Sequence, residues 1–168
     1  MKIKYMFGFV LILGMVACNT GNKSKTVSFE KKTELKKISL TDLNQQAINL
    51  DRYKGKTVFI NFWATWCKPC LQEMPSIENA QNLLRNEEIV FLLASDESIE
   101  QINEFRIKHG YKFNYTRIED SEALDIQALP TTFIFSAQGT LVFSEPGDRK
   151  WDDAENINMI LKVIKRND

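Results

Sequence analysis

The strongest constraint on the fold is an apolar stretch that runs almost directly into a pair of cysteines. Residues 57–63 form a continuous run rich in β-branched and aromatic side chains, which is typical of a central strand covered on both faces. Cys67 and Cys70 follow a three-residue gap, and residues 68–86 then carry an approximate helical stripe of apolar side chains. This order predicts a buried strand, a short turn and a helix that begins at the cysteines.

The rest of the chain predicts further alternation of strands and helices. A second buried strand, a second amphipathic helix ending near Gly110, two strands joined as an antiparallel hairpin and a closing helix are expected at residues 89–94, 99–110, 131–135, 140–143 and 154–164. Residues 38–40 and 47–50 are expected to form a short hairpin or paired strands before this core. The pattern predicts an α/β fold with a central mixed β-sheet and helices on both faces.

The N-terminus has the pattern of a targeting signal. Lys2 and Lys4 precede an uncharged, mostly apolar run at residues 6–16, which is shorter than the roughly 20 residues that a spanning helix needs. The stretch MVAC ending at Cys18 resembles a bacterial lipobox, although Met stands where Leu is commoner. We therefore predict a signal peptide at residues 1–17 and lipidation of Cys18. The alternatives are an ordinary secretory signal with an incidental cysteine, or an uncleaved anchor.

Cysteine usage and charge fit an exported protein of 168 residues with one domain. Of three cysteines, only Cys18 lies outside the Cys-x-x-Cys motif, and lipidation accounts for it. Residues 18–37 are polar and lysine-rich, so they are predicted to form a tether, with contact to anionic lipid as the alternative. The domain is predicted at residues 38–168. Without residues 1–17 the chain has 20 basic and 22 acidic side chains, which gives no indication of nucleic-acid binding.

The spacing of the two cysteines predicts thiol chemistry. At a helix N-terminus, Cys67 lies where unpaired N–H groups and the helix dipole stabilise a thiolate, and Lys68 acts in the same direction. Cys70 follows nearly one turn later, within reach of a disulfide. We expect the sulfur of Cys67 to be activated and exposed and to form mixed disulfides with partner proteins. Cys70, one turn deeper, would release them.

Other uses of paired cysteines are weaker alternatives. A purely structural disulfide would gain little from closing so short a loop. A zinc site normally needs four ligands, and His109 is the only histidine in the sequence, so neither a metal nor another cofactor is expected. A peroxiredoxin-like peroxidase would use an isolated cysteine. A copper-binding chaperone would exploit paired thiolates, but the sequence lacks the Cys-x-x-x-Cys plus histidine pattern of envelope copper carriers.

The segment FINFWATWCKPCLQEMP at residues 59–75 resembles thioredoxin-like proteins of the TlpA/ResA type. The similarity extends through LPTTF at residues 129–133 to Gly147 and Trp151, and it covers roughly residues 38–166. It implies a thioredoxin-like fold and an envelope protein disulfide oxidoreductase. Such an enzyme would reduce disulfides in exported proteins, including apocytochromes during cytochrome c maturation. It would be a membrane-anchored lipoprotein facing the periplasm, reduced by a membrane-embedded electron donor.

The resemblance also assigns roles to particular residues. It implies a redox disulfide between Cys67 and Cys70, a cis-Pro130 facing it, and a backbone at Leu129 that pairs with an extended client peptide. The alternative for Pro130 is an ordinary turn proline.

The remaining roles concern an acid and two tryptophans. The resemblance makes Glu73 an active-site acid, because Asn61 replaces the buried aspartate of thioredoxin. The alternative for Glu73 is a solvent-facing acid in the first helical turns. Trp63 and Trp66 are assigned to packing beside the disulfide, and Trp66 also to client binding. Residues 147–151 match a family loop without a role that the sequence reveals.

Overall fold

The computed structural model of the chain describes residues 34–166. The predicted signal peptide, the lipidation site Cys18 and the tether up to residue 33 lie outside the described residues and stay predictions. Within the described part, no helix combines the length and the apolar character needed to cross a membrane.

A six-stranded mixed sheet forms the centre of the domain, in the order β1-β4-β3-β2-β5-β6. The strands are β1 (Leu40–Thr41), β2 (Thr57–Phe62), β3 (Ile89–Ser95), β4 (Asn114–Ile118), β5 (Thr131–Phe135) and β6 (Leu141–Pro146). The α-helices are α1 (Lys68–Leu83), α2 (Ile99–His109) and α3 (Ala154–Lys165). Strands β2, β3 and β4 run parallel, whereas β1, β5 and β6 pair antiparallel with their neighbours. The predicted α/β class and mixed sheet are confirmed.

Strand β2 lies inside the sheet between β3 and β5, and every one of its residues is buried. Side chains alternate between the two faces of a strand, so the run that appears continuously apolar serves two cores. Phe59 and Trp63 belong to one core, which also receives buried side chains from α1, α2 and α3. Val58, Ile60 and Phe62 belong to the other.

The two faces of the sheet are covered unequally. All three α-helices contribute to the core of Phe59, and the opposite core is closed by two 3-10 turns, Leu35–Lys37 and Leu50–Tyr53, and the segment near β1. This follows from the topology. Strands β2, β3 and β4 lie side by side in chain order, so right-handed crossovers place α1 and α2 on the same face.

The domain begins earlier than the predicted residue 38. Leu35 is buried in the second core, its N–H donates to the carbonyl of Gly139 at 2.9 Å, and Glu34 bridges Thr140. Residues 34–37, which the sequence placed in the tether, therefore belong to the domain. A single leucine among lysines gives no periodicity from which packing could be predicted.

The expected hairpin at residues 38–50 is present only in reduced form. Its two arms share one bridge, between Thr41 and Ala47, and β1 pairs mainly with β4, opposite Ile118. Strand β4 itself was not predicted.

Candidate active site

The two cysteines form a disulfide at the start of α1. Cys67 is the N-cap, and its sulfur accepts the backbone N–H of Cys70 at 3.3 Å. The carbonyl of Cys67 accepts the N–H of Leu71, so the helix begins at this residue. A thiolate at Cys67 would face the same N–H of Cys70 that now contacts the sulfur, at the positive end of the helix dipole.

Exposure of the cysteines is lower than the sequence predicted. Cys67 is 4% exposed and Cys70 is fully buried. The expected order is retained, because Cys70 is the deeper of the two, but Cys67 is nearly buried as well. The reason is packing: both cysteines belong to the core of Phe59.

The peptide bond between Leu129 and Pro130 is cis. Pro130 immediately precedes β5, and the register of β5 on β2 pairs Thr131 with Phe62. This places the proline beside the end of β2 that leads into residues 63–67, which connect β2 to α1 and which we call the cysteine turn. The carbonyl of Pro130 accepts the N–H of Gly147 at 2.8 Å, which attaches the later loop to the same place.

Glu73 is buried one turn after Cys70, with an exposed fraction of 3%. The solvent-facing alternative for this acid is therefore wrong. Its carboxylate accepts three hydrogen bonds: from the side-chain amide of Asn61 at 2.8 Å, from the backbone N–H of Arg149 at 3.0 Å and from the indole N–H of Trp151 at 3.0 Å. Burial raises the pKa of Glu73, and the donors from Arg149, Asn61 and Trp151 oppose that rise.

The loop at residues 147–151 holds this carboxylate, a role that the sequence alone does not reveal. Gly147 has a φ of 98°, a conformation that glycine adopts most readily. The hydroxyl of Ser76 in α1 lies 3.2 Å from the carbonyl of Arg149 and accepts the N–H of Trp151 at 3.1 Å. Two of the three donors to Glu73 come from this loop, which is thus part of the site.

Asn61 links the acid to the sheet. Its amide nitrogen donates to Glu73 and, at 3.0 Å, to the hydroxyl of Thr132 on β5. Its amide oxygen is buried and has no donor among the described residues. A protonated Glu73 would present an O–H group, and rotation of the amide would then pair that group with the oxygen.

The two tryptophans beside the cysteines have opposite environments. Trp63 is buried against the rings of Phe105 and Tyr115, at centroid distances of 4.7 and 5.7 Å, as predicted. Trp66 is 73% exposed, so its assignment to packing is wrong. Strand alternation continues to Trp63 and directs it inward, whereas Trp66 lies in the turn.

A groove of about 260 Å³ opens beside this turn. Trp66 and Leu129 line it together with apolar side chains of the sheet and of the segment before Pro130, namely Phe62, Ile118 and Ile126. Among the described residues that line the groove, Asp96 is the only charged one. The groove therefore joins the exposed indole to the backbone that precedes the cis-proline.

The described residues contain no group of three or more His, Cys, Asp or Glu side chains arranged to hold a metal ion. His109 lies at the end of α2, where its ring stacks on Phe105 at 4.2 Å.

A Glu73→Gln variant is expected to alter the pH dependence of thiol exchange, because it removes a buried group that titrates above its ordinary range. The native state binds a proton at Glu73 more tightly than the unfolded chain does. The stability that this group contributes is thus complete below the ordinary glutamate pKa. It falls as pH rises through the raised pKa, with a slope of at most ~1.4 kcal/mol per pH unit.

Exchange rates and urea unfolding of wild type and Glu73→Gln, measured between pH 4 and pH 8, check this expectation. The exposed Glu87→Gln is the matched control. The same pH dependence in Glu73→Gln and wild type, with unchanged titration of both cysteines, would show that Glu73 has no part in the chemistry.

A disulfide-bonded Cys-x-x-Cys between the central strand and its helix, beside a cis-proline, defines the class of thioredoxin-like thiol-disulfide oxidoreductases. The sequence profile of the Redoxin family matches residues 15–161. The chain belongs to this family, and its relatives identify it as an oxidoreductase of the TlpA/ResA type.

Two ResA relatives illustrate the extent of the match. The thiol-disulfide oxidoreductase ResA of Bacillus subtilis is 35% identical over 108 residues, which cover 61% of this chain and 60% of that protein. ResA of Bacillus cereus is 30% identical over 139 residues, which cover 80% of each. These relatives favour dithiol exchange over the peroxidase and copper-chaperone alternatives.

Solved structures agree on the fold. A proposed thiol:disulfide interchange protein DsbE from Chlorobium tepidum superimposes with a TM-score of 0.69 at 18% identity, covering 79% of this chain and 97% of that one. The exposed lipoprotein thioredoxin Etrx1 of Streptococcus pneumoniae gives a TM-score of 0.57 at 22% identity, with 76% and 97% coverage.

Proposed function

We propose that the protein reduces disulfides in exported proteins through the Cys67–Cys70 dithiol. The observation that carries this proposal is the disulfide itself, placed at a helix N-terminus with Cys67 as the outer of the two cysteines and a groove of about 260 Å³ beside it. In the reducing direction the Cys67 thiolate attacks a client disulfide and one client sulfur leaves as a thiolate. Cys70 then attacks the mixed disulfide, releases the second client sulfur and closes the Cys67–Cys70 bond.

Client binding is assigned to Trp66, Leu129 and Pro130. The backbone of Leu129 forms no hydrogen bond within residues 34–166, so its N–H and carbonyl are available to an extended peptide. The exposed Trp66 ring offers an apolar surface next to that backbone, with the groove between them. An extended client segment, such as an unfolded apocytochrome, fits these features better than a folded surface would.

Glu73 is proposed to handle protons during resolution. Cys70 must lose its proton before it attacks the mixed disulfide, and Glu73 lies one turn away on the same helix. Its raised pKa brings the carboxyl closer to neutrality, where a group can both accept and return a proton. Asn61, which occupies the central strand, does not titrate in this range.

We propose that the domain lies in the cell envelope facing the periplasm, attached to a membrane through lipidated Cys18 and reached by a membrane-embedded electron donor. Support comes from the lipobox-like stretch before Cys18 and from the similarity to Etrx1, which is an exposed lipoprotein. The donor would supply the two electrons that return the disulfide to the dithiol.

A Cys70→Ser variant tests the proposal by trapping. The first attack by Cys67 remains possible but resolution does not, so mixed disulfides with exported proteins are expected to accumulate after acid quenching. The matched control lacks both thiols, as Cys67→Ser together with Cys70→Ser. Adducts that are absent, or that are equally abundant in the control, would contradict the proposal. Recovery of wild type mainly as the disulfide from growing cells would contradict the reducing direction.

A further inference from the structure

Glu97 forms two hydrogen bonds with Thr65, the residue two positions before Cys67. Glu97 lies in the connection between β3 and α2. One of its carboxylate oxygens accepts the backbone N–H of Thr65 at 2.7 Å, and the other accepts the hydroxyl of the same residue at 2.6 Å. Both donors of Thr65 are thus bound by a single carboxylate, and hydrogen bonds to a charged acceptor are the stronger kind.

Glu97 is itself fixed by the elements on either side. The hydroxyl of Ser95, the last residue of β3, donates to the Glu97 carboxylate at 3.1 Å and lies 3.2 Å from the Glu97 N–H, which donates to it. Ser98, the next residue along the chain, caps α2 through a reciprocal pair of hydrogen bonds with Gln101. The Glu97 carboxylate is therefore held between the end of β3 and the capped start of α2.

The cysteine turn is attached at successive points. The N–H of Trp63 donates to the carbonyl of Ala94 at 3.0 Å, and Thr65 is held by Glu97. Within the turn itself, the N–H of Cys67 donates to the carbonyl of Ala64 at 3.1 Å. Among the described residues Glu97 takes part in no ion pair. Within that part of the chain, its carboxylate is satisfied by the donors of Thr65 and Ser95.

We propose that Glu97 is a positioning residue for thiol exchange, which holds Thr65 and thereby fixes Trp66 and Cys67 for attack. The inference rests on Cys67 being the attacking thiol. It extends the site to a residue 30 positions after Cys67 that shares no hydrogen-bond donor with the Glu73 carboxylate and belongs to a different connection.

Charge and position predict opposite effects of neutralising this residue. A carboxylate near Cys67 disfavours the thiolate by repulsion, so its removal would shift alkylation to lower pH and make it faster. A loosened turn would instead move Cys67 away from the helix N-terminal donors, which shifts alkylation to higher pH and makes it slower. The direction of the change therefore separates the two mechanisms.

The test measures alkylation of Cys67 by iodoacetamide from pH 5 to pH 9 in the reduced full-length protein. The variants are Glu97→Gln, Thr65→Val and the pair combined, with the exposed Glu104→Gln on α2 as the charge-matched control. Glu97→Gln is expected to slow alkylation at pH 7 by about fivefold to tenfold and to raise the pH of half-maximal rate. Thr65→Val keeps the backbone donor and is expected to lose less.

The double variant is expected to be no slower than Glu97→Gln alone, because both changes break one interaction. Rates are expressed per folded molecule from urea curves, and Thr65→Val remains informative if Glu97→Gln folds poorly. Unchanged rates with lower stability, or faster rates at lower pH, would overturn the inference. A wild type in which Cys67 does not react would instead contradict the oxidoreductase mechanism itself.

Discussion

Replacing Trp151 by alanine is expected to lower the free energy of unfolding by about 3–5 kcal/mol. The indole is fully buried, edge-on to Phe59 at 4.8 Å and to Phe143 at 6.0 Å, and its N–H donates to the Glu73 carboxylate. The change removes a large part of the core packing and also leaves a buried acid with one donor fewer. Urea denaturation at pH 7 measures the loss.

A Trp151→Phe variant separates these two contributions. It keeps an aromatic ring but removes the indole N–H, which is expected to cost roughly 1–3 kcal/mol. Because that donor lowers the pKa of Glu73, its loss raises this pKa further. The destabilisation is therefore expected to be larger at pH 7, where the carboxylate is more ionised, than at pH 4.

The matched control is Trp66→Ala, at the tryptophan that is 73% exposed. It is expected to change stability by no more than ~0.5 kcal/mol. Equal losses in Trp151→Phe and Trp66→Ala, or a loss in Trp151→Phe that is the same at pH 4 and pH 7, would show that the indole N–H does not support Glu73.

The central part of the fold was predictable because its signals are local. The buried run at β2 and the left-handed Gly110 that ends α2 are each encoded within a few residues. Strand β4 carries no such signal. Its five residues include Asn114 and Arg117, and its place in the sheet depends on pairing with β3 and β1. Propensity at a short segment is decided by such neighbours.

In the site, too, the residues with local signals were predictable and the long-range contacts were not. The cysteines, Glu73 and cis-Pro130 are marked by the motif and by family resemblance. The donors that hold Glu73 are not, because Trp151 lies 78 positions along the chain from it. Glu97 lies 32 positions from Thr65, in an unremarkable loop. Contacts of this length arise only from the topology that brings the ends of the strands together.

The second large effect concerns the reactivity of the two thiols. In the reduced protein at pH 7, Cys67 is expected to react with iodoacetamide at least about tenfold faster than Cys70, since its thiolate is stabilised at the helix N-terminus and it is the less buried of the two cysteines. Cys67 caps α1 and is the outer of the two residues, whereas Cys70 is fully buried within the helix.

Brief alkylation of the folded, dithiothreitol-reduced protein, with the labelled site mapped by mass spectrometry across pH 5 to pH 9, measures this difference in reactivity. Cys70→Ser and Cys67→Ser isolate each thiol. We expect Cys67 to be labelled first, with a half-maximal rate at a pH below the ~8.5 of a free thiol. Two thiols that stay equally inert at neutral pH, or a Cys70 that is labelled before Cys67, would contradict it.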